Sequence, residues 1–419
     1  MVIMKAVVYK TNAIGWPICR LLRHLWPGCQ ASRLNGFSLR EVPPPSLPGP
    51  DWAVVRTRLG GICGTDTAIV GQKQPPDSFL QDFSSQPFVP GHENVATVEQ
   101  TGPDVDADLR GRRVLVEPTL SCRVRGTEPI CTACREGRFG ACENFSASFG
   151  GSQALPAGTS AGYCAATGGS WGQQFLAHRS QLVAVPEAVT DEKAICVDTF
   201  ACSLHGVLQA DLTDVRRVLV YGAGIIGLAA VGGLRALGFD GEIDILGRSE
   251  FHESFAIGQG ASDYIRLPDK TDARYEVIAK RTGGTVQRGR FGNRMLSGGY
   301  DLVLDCIGSP PSMEECLKWT RAHGQVVLLG TLQRANVDLT PIWFRELRIL
   351  GAYGRAIERV DGREVGTYQL VLEMIRDGRL TVEGLLTHTF AVEDYRRALM
   401  TSLHKSASRC VKAAFDFRE

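Results

Sequence analysis

The chain has 419 residues, of which 44% are hydrophobic and 22% charged, as is ordinary for a globular protein with a sizeable core. Lysine and arginine number 46 and the acidic residues 45, so the formal net charge is +1. This balance indicates neither nucleic acid nor a membrane surface as a partner. No run of about 18 apolar residues occurs, which argues against a membrane-spanning helix.

The first residues, MVIMKAVVYK, form too short an apolar run for a secretory signal, and no small-residue cleavage site follows. We therefore predict a first strand with Ala6, Val7, Val8 and Tyr9 as its body, and a cytoplasmic protein. The chain has 13 cysteines. An odd number without an export signal favours thiols and metal ligands over a disulfide framework.

The composition and the residue pattern of the chain change near residue 189. Up to 188, glycine, proline and short runs such as WAVVRTRLG and RRVLVEP predict a mostly β, loop-rich domain. Over 189–343, strand-like runs such as GEIDIL, YDLVLDCIG and GQVVLLGT alternate with helical spacing, which predicts an α/β domain with a parallel sheet. The tail, 344–419, ends in the strand-like run SRCVKAAFDF, which we assign to the first domain together with 1–188.

The run YGAGIIG has the G-x-G-x-x-G spacing between a predicted strand, Arg217–Tyr221, and a predicted helix over 225–237. The first glycine permits a tight turn, the second allows a pyrophosphate to approach the backbone, and the third lets helix and strand pack closely. The start of the helix then offers N–H groups to the phosphates. The predicted cofactor residues of this turn are Gly222, Gly224, Ile225, Ile226 and Gly227.

Gly247, Arg248 and Ser249 follow the second predicted strand, where an NAD site has an acidic residue for the ribose hydroxyls. A small residue leaves room for a 2′-phosphate, and Arg248 can pair with that phosphate through two hydrogen bonds. The sequence therefore favours NADP. The alternative is NAD, with Glu250 or Asp244 as the acid and Arg248 as a solvated surface residue.

Three separated runs carry candidate zinc ligands. GGICGTDTAIV places Cys63 in a glycine-rich turn, and PGHEN places His92 and Glu93 after another. A thiolate and an imidazole suit zinc, and a carboxylate adds an oxygen. ICVDTFACSLHG offers Asp198 and Cys202 as a third ligand. A catalytic zinc keeps one position open for water or substrate.

These runs, in the order GGICGTD, PGHE, a cysteine-rich lobe, DTFACSLHG and YGAGIIG, resemble the zinc-dependent medium-chain dehydrogenases over nearly the whole chain. The resemblance is to the polyol, threonine and sugar dehydrogenases in particular. It implies an α/β protein with a GroES-like, mostly β catalytic domain and a Rossmann doubly wound coenzyme domain. It also implies an NAD(P)-linked dehydrogenase, a homodimer or homotetramer, that oxidises a secondary alcohol of a polyol, sugar or amino alcohol or reduces the matching carbonyl.

The resemblance implies that Cys63 and His92 bind the catalytic zinc and that Glu93 is an exchangeable ligand. Asp198 matches the acid of the polyol branch, although threonine follows it here in place of proline. The alcohol branch has a cysteine in this region, so Cys202 is the reserve candidate.

The same resemblance gives roles to the neighbours of these ligands. Thr65 would hydrogen-bond the reacting hydroxyl, and Asp66 would orient His92 from behind. Many relatives have a histidine three residues after that threonine, at the end of a proton relay, but this chain has Ala68 there. Further cofactor residues implied by the resemblance are Gly308, Leu329, Gly330 and Thr331.

The run SCRVRGTEPICTACREGRFGAC has Cys131, Cys134 and Cys142 in C-x2-C-x7-C spacing, which matches the structural zinc lobe of the family. The first cysteine of that lobe would fall at Glu128. Either a longer loop brings Cys122 in as the fourth thiolate, or Glu128 substitutes for it. A lobe that keeps free thiols without metal is the alternative.

Two competing functions are a zinc-free quinone or alkene reductase of the same superfamily and a non-catalytic NADPH-binding protein. The first lacks ligands such as Cys63 and His92, and the second would bind cofactor without turnover. Two insertions, 11–36 and 145–174, have no assigned role. The first is partly amphipathic. It could cap the substrate cleft, pack against the core or contact a partner subunit, and packing against the core is the interpretation that we favour.

Overall fold

The structure is a computed structural model that describes residues 3–75, 77–145 and 155–418. It divides into two compact units. The first comprises Met1–Asp198, Arg355–Arg376 and Val382–Glu419, and the second comprises Thr199–Gly354 and Asp377–Thr381. The domain boundaries drawn from the sequence, after 188 and 343, remain a prediction.

Strands are distributed over both units. In chain order they are β1 (Met4–Tyr9), β2 (Phe37–Val42), β3 (Trp52–Gly61), β4 (Asn94–Thr101), β5 (Arg113–Val116), β6 (Gln174–His178), β7 (Leu182–Ala184), β8 (Arg217–Tyr221), β9 (Glu242–Gly247), β10 (Asp263–Arg266), β11 (Thr285–Arg288), β12 (Arg294–Ser297), β13 (Tyr300–Asp305), β14 (Thr320–Leu328), β15 (Arg348–Gly351), β16 (Ile357–Val360), β17 (Arg363–Gly366), β18 (Leu386–Phe390) and β19 (Lys412–Asp416).

The α-helices follow the same numbering. They are α1 (Gly15–Leu22), α2 (Gly64–Val70), α3 (Cys122–Arg125), α4 (Thr132–Arg135), α5 (Asp191–Ala194), α6 (Val197–Leu208), α7 (Ile225–Ala236), α8 (Glu253–Gly258), α9 (Thr271–Thr282), α10 (Pro310–Trp319), α11 (Thr340–Phe344), α12 (Thr367–Arg376), α13 (Tyr395–Leu403) and α14 (Lys405–Ser408). Among the described residues, no helix is both long and apolar enough to cross a membrane.

The first unit is built on a largely antiparallel sheet in the order β18-β19-β3-β4-β5-β7, with β6 also paired to β3. Its last strand comes from the end of the chain: Ala414 of β19 lies opposite Gly61 of β3. The tail therefore returns to this unit. Trp171 and Phe415 are fully buried in the core of this unit, with ring centroids 5.3 Å apart.

The second unit has a six-stranded parallel sheet in the order β10-β9-β8-β13-β14-β15. This is the doubly wound order, in which the chain reverses direction across the sheet beside β8. Its central strands are buried on both faces, as their near-continuous Val, Leu and Ile runs require. Together with the mostly β first unit, it confirms the α/β fold class.

The first insertion is buried only in part. Residues 11–36 form α1 and two 3₁₀ turns, Pro27–Ala31 and Arg33–Asn35. Cys19 and Cys29 are fully buried, but Leu21 and Leu25 are 79% and 86% exposed. One side of the segment therefore packs against the unit, and the other side leaves apolar side chains exposed. Of the second insertion, residues 146–154 lie outside the described residues.

Candidate zinc and nucleotide sites

Cys63 stands between strand β3 and helix α2, as the residue directly before the helix. Its backbone N–H donates to Asp66 Oδ2 at 2.8 Å, and the hydroxyl of Tyr163 donates to Asp66 Oδ1 at 2.7 Å. Asp66 therefore fixes this turn, and burial raises its pKa. Thr65 Oγ1 lies 3.9 Å from Cys63 Sγ, so the hydroxyl and the thiol are close neighbours.

His92 and Glu93 follow Gly91, whose φ of +96° is left-handed. A side chain there would also meet the Trp171 ring at 2.4 Å, so glycine is required. The His92 ring is buried and tilted against Tyr163, with centroids 5.4 Å apart. Its Nδ1 has no hydrogen-bond partner among the described residues. A buried imidazole nitrogen in this state fits a metal-binding side chain, because its desolvation is otherwise uncompensated.

Glu93 is paired with a buried cation. Its Oε2 lies 2.7 Å from Nζ of Lys412, and the two side chains are only 2% and 1% exposed. Strand β19 brings Lys412 here, since the N–H of Ile62 donates to the carbonyl of Ala413 at 2.9 Å. Burial lowers the pKa of Lys412, but the charge of Glu93 outweighs that effect and the pKa is raised.

Asp198 lies in the first turn of α6 and is also paired with a cation. Its Oδ1 accepts hydrogen bonds from the guanidinium of Arg355 and the hydroxyl of Tyr368. The side chains of Asp198 and Arg355 are 5% and 7% exposed, and Nε of Arg355 lies 3.9 Å from Oε1 of Glu117. Burial raises the pKa of Asp198, but Arg355 and then His92 lower it by more, so the pKa falls.

Three carboxylates act on the Cys63 thiol, and two of them are paired with buried cations. Burial raises the pKa of this thiol, and the charges of Glu93, Asp66 and Asp198 raise it further. A thiolate here requires a nearby cation, and a divalent metal supplies one directly. The donor set of thiol, imidazole and carboxylate therefore fits zinc.

These donors are near one another but are not gathered to coordination distance. Among the described residues, three or more candidate ligand atoms lie within 4.8 Å of one another only in the cysteine lobe. Cys63, His92, Glu93 and Asp198 form no such group. The reserve candidate Cys202 lies on α6 in the second unit, one turn after Asp198.

The cysteine lobe has the geometry of a closed metal site. Cys122, Cys131, Cys134 and Cys142 place their sulfur atoms within 4.8 Å of one another, and Sγ of Cys122 is 3.6 Å from that of Cys142. A tetrahedral zinc with Zn–S bonds of about 2.3 Å places its sulfur atoms roughly 3.8 Å apart. The four thiols therefore fit zinc. The fourth position is taken by Cys122 in this group, which does not include Glu128.

The glycine turn lies between β8 and α7 in the second unit. Gly222 has a φ of +117°, and a Cβ on Gly227 would lie 1.8 Å from the carbonyl oxygen of Gly222. Gly224 precedes the helix, and a Cβ placed on it would meet nothing within 4 Å. The first and third glycines therefore serve the turn and the packing, and the second faces open space that a pyrophosphate can occupy.

The other predicted cofactor residues lie at the ends of β13 and β14. Oδ1 of Asp305 accepts hydrogen bonds from the N–H groups of Ile307 and Gly308, each at 3.0 Å. The Asp305 carbonyl accepts from Leu329 and Gly330 at 3.0 and 2.8 Å. Thr331 follows directly. Because the carboxyl ends of parallel strands share one edge, these residues line the same edge as the glycine turn.

Two family models match the chain. One, described as alcohol dehydrogenase GroES-like domain, matches residues 49–187, and the other, described as zinc-binding dehydrogenase, matches residues 226–375. An L-idonate 5-dehydrogenase of Vitis vinifera is 29% identical over 89% of this chain and 91% of its own length. A sorbitol dehydrogenase of Arabidopsis thaliana is 27% identical over 92% and 94%. The chain belongs to the zinc-dependent medium-chain dehydrogenases.

A solved structure of the 2R,3R-butanediol dehydrogenase of Bacillus subtilis has the same fold as this dehydrogenase. It matches with a TM-score of 0.71 and 21% identity, over 99% of each chain. The expected family and the expected class of enzyme, an NAD(P)-linked oxidoreductase with zinc, are thereby confirmed. The roles of the individual residues remain predictions.

In this dehydrogenase, packing against Tyr264 explains why residue 247 is glycine. A Cβ at this position would lie 1.9 Å from the hydroxyl of Tyr264, which donates to the Ser249 carbonyl at 2.6 Å. Internal packing therefore requires glycine here whether or not a phosphate binds. Arg248 is exposed at the end of β9.

Sequence reasoning missed the two cations of the first unit. Lys412 and Arg355 hold the carboxylates of Glu93 and Asp198, at separations of 319 and 157 residues. A lysine within the apolar run CVKAAF was the one available signal, because a lysine in a buried strand needs an anionic partner. Arg355 follows a glycine in an ordinary loop and gave no such signal.

Proposed function

We propose that this dehydrogenase oxidises a secondary alcohol of a polyol, sugar or amino alcohol, or reduces the matching carbonyl, with zinc at Cys63 and His92 and with NADP in preference to NAD. The observation that carries the proposal is the buried His92 nitrogen, which has no hydrogen-bond partner among the described residues, together with the carboxylates that act on the Cys63 thiol. The names of the relatives, among them idonate, sorbitol and threonine dehydrogenases, support this substrate class.

Cys63 and His92 would hold a zinc ion that would supply a Lewis acid toward the substrate oxygen, and the glycine turn would hold the nucleotide that would supply the hydride chemistry. Thr65 Oγ1, 3.9 Å from Cys63 Sγ, accepts the proton of the substrate hydroxyl. Ala68 offers no group for a second transfer, so the proton passes from Thr65 to water. The pair of Asp66 with Tyr163 fixes the turn that positions both Cys63 and Thr65.

Two fixed cations control the charge of this site. Lys412 and Arg355 hold Glu93 and Asp198 as anions in set positions. Both pairs are buried, so their geometry is maintained by short contacts in a low dielectric. We infer that Glu93 exchanges between Lys412 and the metal, whereas Asp198 completes the ligand set and Cys202 is the reserve.

A parallel screen tests the activity. Purified protein, with its zinc content measured, is offered polyols, sugars and amino alcohols with NADP and with NAD, and the absorbance of the reduced cofactor is followed. We expect turnover of a vicinal diol or amino alcohol, faster with NADP. Cofactor binding without turnover on the whole panel would favour the non-catalytic alternative. Turnover of quinones by protein without catalytic zinc would favour the reductase.

Preference for NADP rests on the second strand. Asp244, one candidate for a ribose-binding acid, is fully buried and engaged by Arg281 and Tyr300, each at 2.8 Å. Glu250 is 81% exposed and lies 3.9 Å from Arg266. Arg248 is therefore the residue that we assign to the 2′-phosphate.

The preference can be tested by replacing Arg248. Arg248→Ala should raise KM for NADP by about tenfold to a hundredfold and leave KM for NAD unchanged. Arg359→Ala, which removes an arginine that is 85% exposed in the first unit, is the matched control and should change neither constant. An equal effect of Arg248→Ala on both cofactors would contradict the assignment.

We also propose that the protein is a homodimer joined through the second unit. Strand β15 ends the six-stranded sheet and pairs, within the described part of the chain, with β14 alone. Helix α11 and its preceding residue expose Leu339, Trp343 and Phe344 by 56%, 81% and 63%. A free strand edge beside exposed apolar side chains is suited to pairing with a second copy. Trp343→Glu with Phe344→Glu should halve the mass measured by light scattering.

The remaining expectations are a cytoplasmic location and no nucleic-acid partner. The net charge of +1 supports the second. If the purified protein elutes at the same volume before and after nuclease treatment, and carries no nucleic acid, that expectation is borne out.

A further inference from the structure

Residues 11–36 are attached firmly to the first unit on one side. Trp16 accepts a hydrogen bond at its carbonyl from Gln72 at 2.9 Å, and the Asn35 amide donates to the Val70 carbonyl at 3.0 Å. The Arg23 guanidinium donates to the Gly71 carbonyl at 3.3 Å. These contacts place α1 against the end of α2 and fix which face of α1 points outward.

The outward face of α1 is apolar. Its members recur at spacings of four, three and four residues: two of them lie on α1, one directly precedes it and one follows its end. They are Ile14, Ile18, Leu21 and Leu25, with exposures of 78%, 41%, 79% and 86%, and Trp26, 53% exposed, follows them. We call these five residues the outer stripe. A contiguous row of this kind marks a surface that another body covers, since isolated exposed apolar residues are normal but clustered ones are not.

The stretch of sequence that carries the outer stripe, residues 10–40, has basic residues only among its charged side chains. The stretch 10–40 has no aspartate or glutamate, although the whole chain has 45 acidic residues. Five basic residues fall in the same stretch, namely Lys10, Arg20, Arg23, Arg33 and Arg40. Arg20 lies over the ring of Trp16, 5.5 Å from its centroid, and His24 is exposed beside it. The occupant of this surface must therefore accept apolar side chains and bring negative charge.

We propose that the outer stripe docks on an anionic membrane surface, with its apolar side chains in the interfacial region and the surrounding basic residues at the lipid phosphates and carboxylates. A short helix with Leu, Ile and Trp on one side and Arg at its flanks is suited to lie in the plane of such an interface. A second copy of the chain is the less favoured occupant, because a two-fold contact would bring the same basic residues against each other.

This proposal goes beyond the dehydrogenase activity and changes the expectation of no membrane partner. That expectation came from the net charge, which averages over the chain. Attraction to anionic lipid depends instead on the charges within about one Debye length of the surface. The stretch 10–40 has five basic and no acidic residues even though the total for the chain is +1.

Vesicle flotation of the full chain, loaded with zinc and NADP, tests the proposal. One set of vesicles is phosphatidylcholine alone, and the other is an equal mixture of phosphatidylcholine and phosphatidylserine. We expect flotation with the mixed vesicles, weaker flotation with phosphatidylcholine alone, and a bound fraction that falls as salt is raised. No flotation with either vesicle would overturn the proposal.

Two double variants distinguish a loss of the apolar outer stripe from the effect of added negative charge elsewhere on the protein. Leu21→Glu with Leu25→Glu should reduce binding to the mixed vesicles by at least about tenfold. The matched control is Ile257→Glu with Phe291→Glu, which adds the same charge at side chains that are 49% and 106% exposed in the second unit. The control should float like the parent. Equal losses in both double variants would overturn the proposal, because they would reflect charge alone.

The contribution of basic charge to vesicle binding is tested by a single variant and its control. Arg20→Gln should weaken binding to the mixed vesicles by about fivefold. Arg359→Gln, whose side chain is 85% exposed, is the control and should have no effect. Light scattering and dehydrogenase turnover accompany each variant. A change in oligomeric mass with the stripe variant, without vesicle binding by the parent, would assign the stripe to a second copy and overturn the membrane proposal.

Discussion

The two candidate zinc sites of the first unit are built in opposite ways. In the cysteine lobe, four thiols from a short stretch, 122–142, lie within 4.8 Å of one another. At the proposed catalytic site, the ligands come from three distant stretches, and the two carboxylates contact protein cations. The four thiols of the lobe are arranged to bind one metal ion. The other site is arranged so that its charges are already balanced before any metal binds.

This difference reflects two demands on a metal. A structural ion must only be held, so a closed set of equivalent soft ligands is sufficient. A catalytic ion must keep a position open and tolerate changes of ligand. Lys412 and Arg355 give Glu93 and Asp198 an alternative partner, so neither acid becomes an uncompensated buried charge when it leaves the metal.

The largest effect should come from the thiol of the catalytic site. Cys63→Ser should lower kcat/KM by roughly a thousandfold or more, because the Lewis acid is lost with its strongest ligand. Binding of NADPH, followed by fluorescence, and the zinc of the cysteine lobe should both be retained. Turnover at the level of the parent protein would remove Cys63 from the site.

The next effect concerns the Lys412–Glu93 pair. Lys412→Met leaves Glu93 buried without its cation and should reduce the free energy of unfolding by about 4 kcal/mol, measured by urea denaturation. Lys5→Met is the matched control, since Lys5 pairs with Glu393 at 2.6 Å on the surface with both side chains about half exposed. The control should unfold like the parent. If both variants unfold alike, the buried pair is not what stabilises this part of the site.

Variants of Asp198 distinguish its proposed role as a zinc ligand from its role as the counter-ion of Arg355. Asp198→Asn should reduce the free energy of unfolding by about 3 kcal/mol, because Arg355 loses its buried partner. Adding Arg355→Gln should recover most of that loss. The catalytic zinc should be absent from both variants, measured by metal analysis, because the ligand role does not depend on Arg355. Zinc retained in the double variant would exclude Asp198 as a ligand and favour Cys202.

The cysteine lobe should respond in stability rather than in chemistry. Cys122→Ser should lose the lobe zinc and reduce the free energy of unfolding by about 2 kcal/mol, with kcat changed much less than by Cys63→Ser. Glu128→Gln is the control for the alternative fourth ligand and should keep the zinc. The reverse result would show that Glu128, not Cys122, completes the site.

Local patterns in the sequence were sufficient for the parts of this protein that local structure determines. The strand predicted at Arg217–Tyr221 has the bounds of β8, and the glycine turn follows it directly. The spacing of Cys131, Cys134 and Cys142 likewise marked the lobe, although its loop length left Cys122 and Glu128 as alternatives. In each case the ligand or turn residues lie close together in the chain, so their spacing alone carries the signal.

The rest required tertiary structure. The pairing of Lys412 with Glu93 depends on the antiparallel register of β19 beside β3, which no pattern of apolar residues specifies. The outward face of α1 was also missed, because its apolar spacing is the same whether the row faces the core or solvent. Gly247 was assigned to the cofactor, and the structure adds the hydroxyl of Tyr264 as a second reason for it.

The smallest predicted effect tests whether the hydrogen bond from Tyr163 to Asp66 positions the catalytic site. Tyr163→Phe removes the hydroxyl that donates to Asp66 at 2.7 Å and should lower kcat by about tenfold, since Asp66 anchors the turn of Cys63. Tyr9→Phe is the matched control: Tyr9 is also buried, but its hydroxyl contacts Thr11 at 3.4 Å. Both variants remove one oxygen from the same core, so a fall in kcat confined to Tyr163→Phe would assign the effect to Asp66. Equal kcat values would mean that the backbone around Cys63 holds its position without that hydrogen bond.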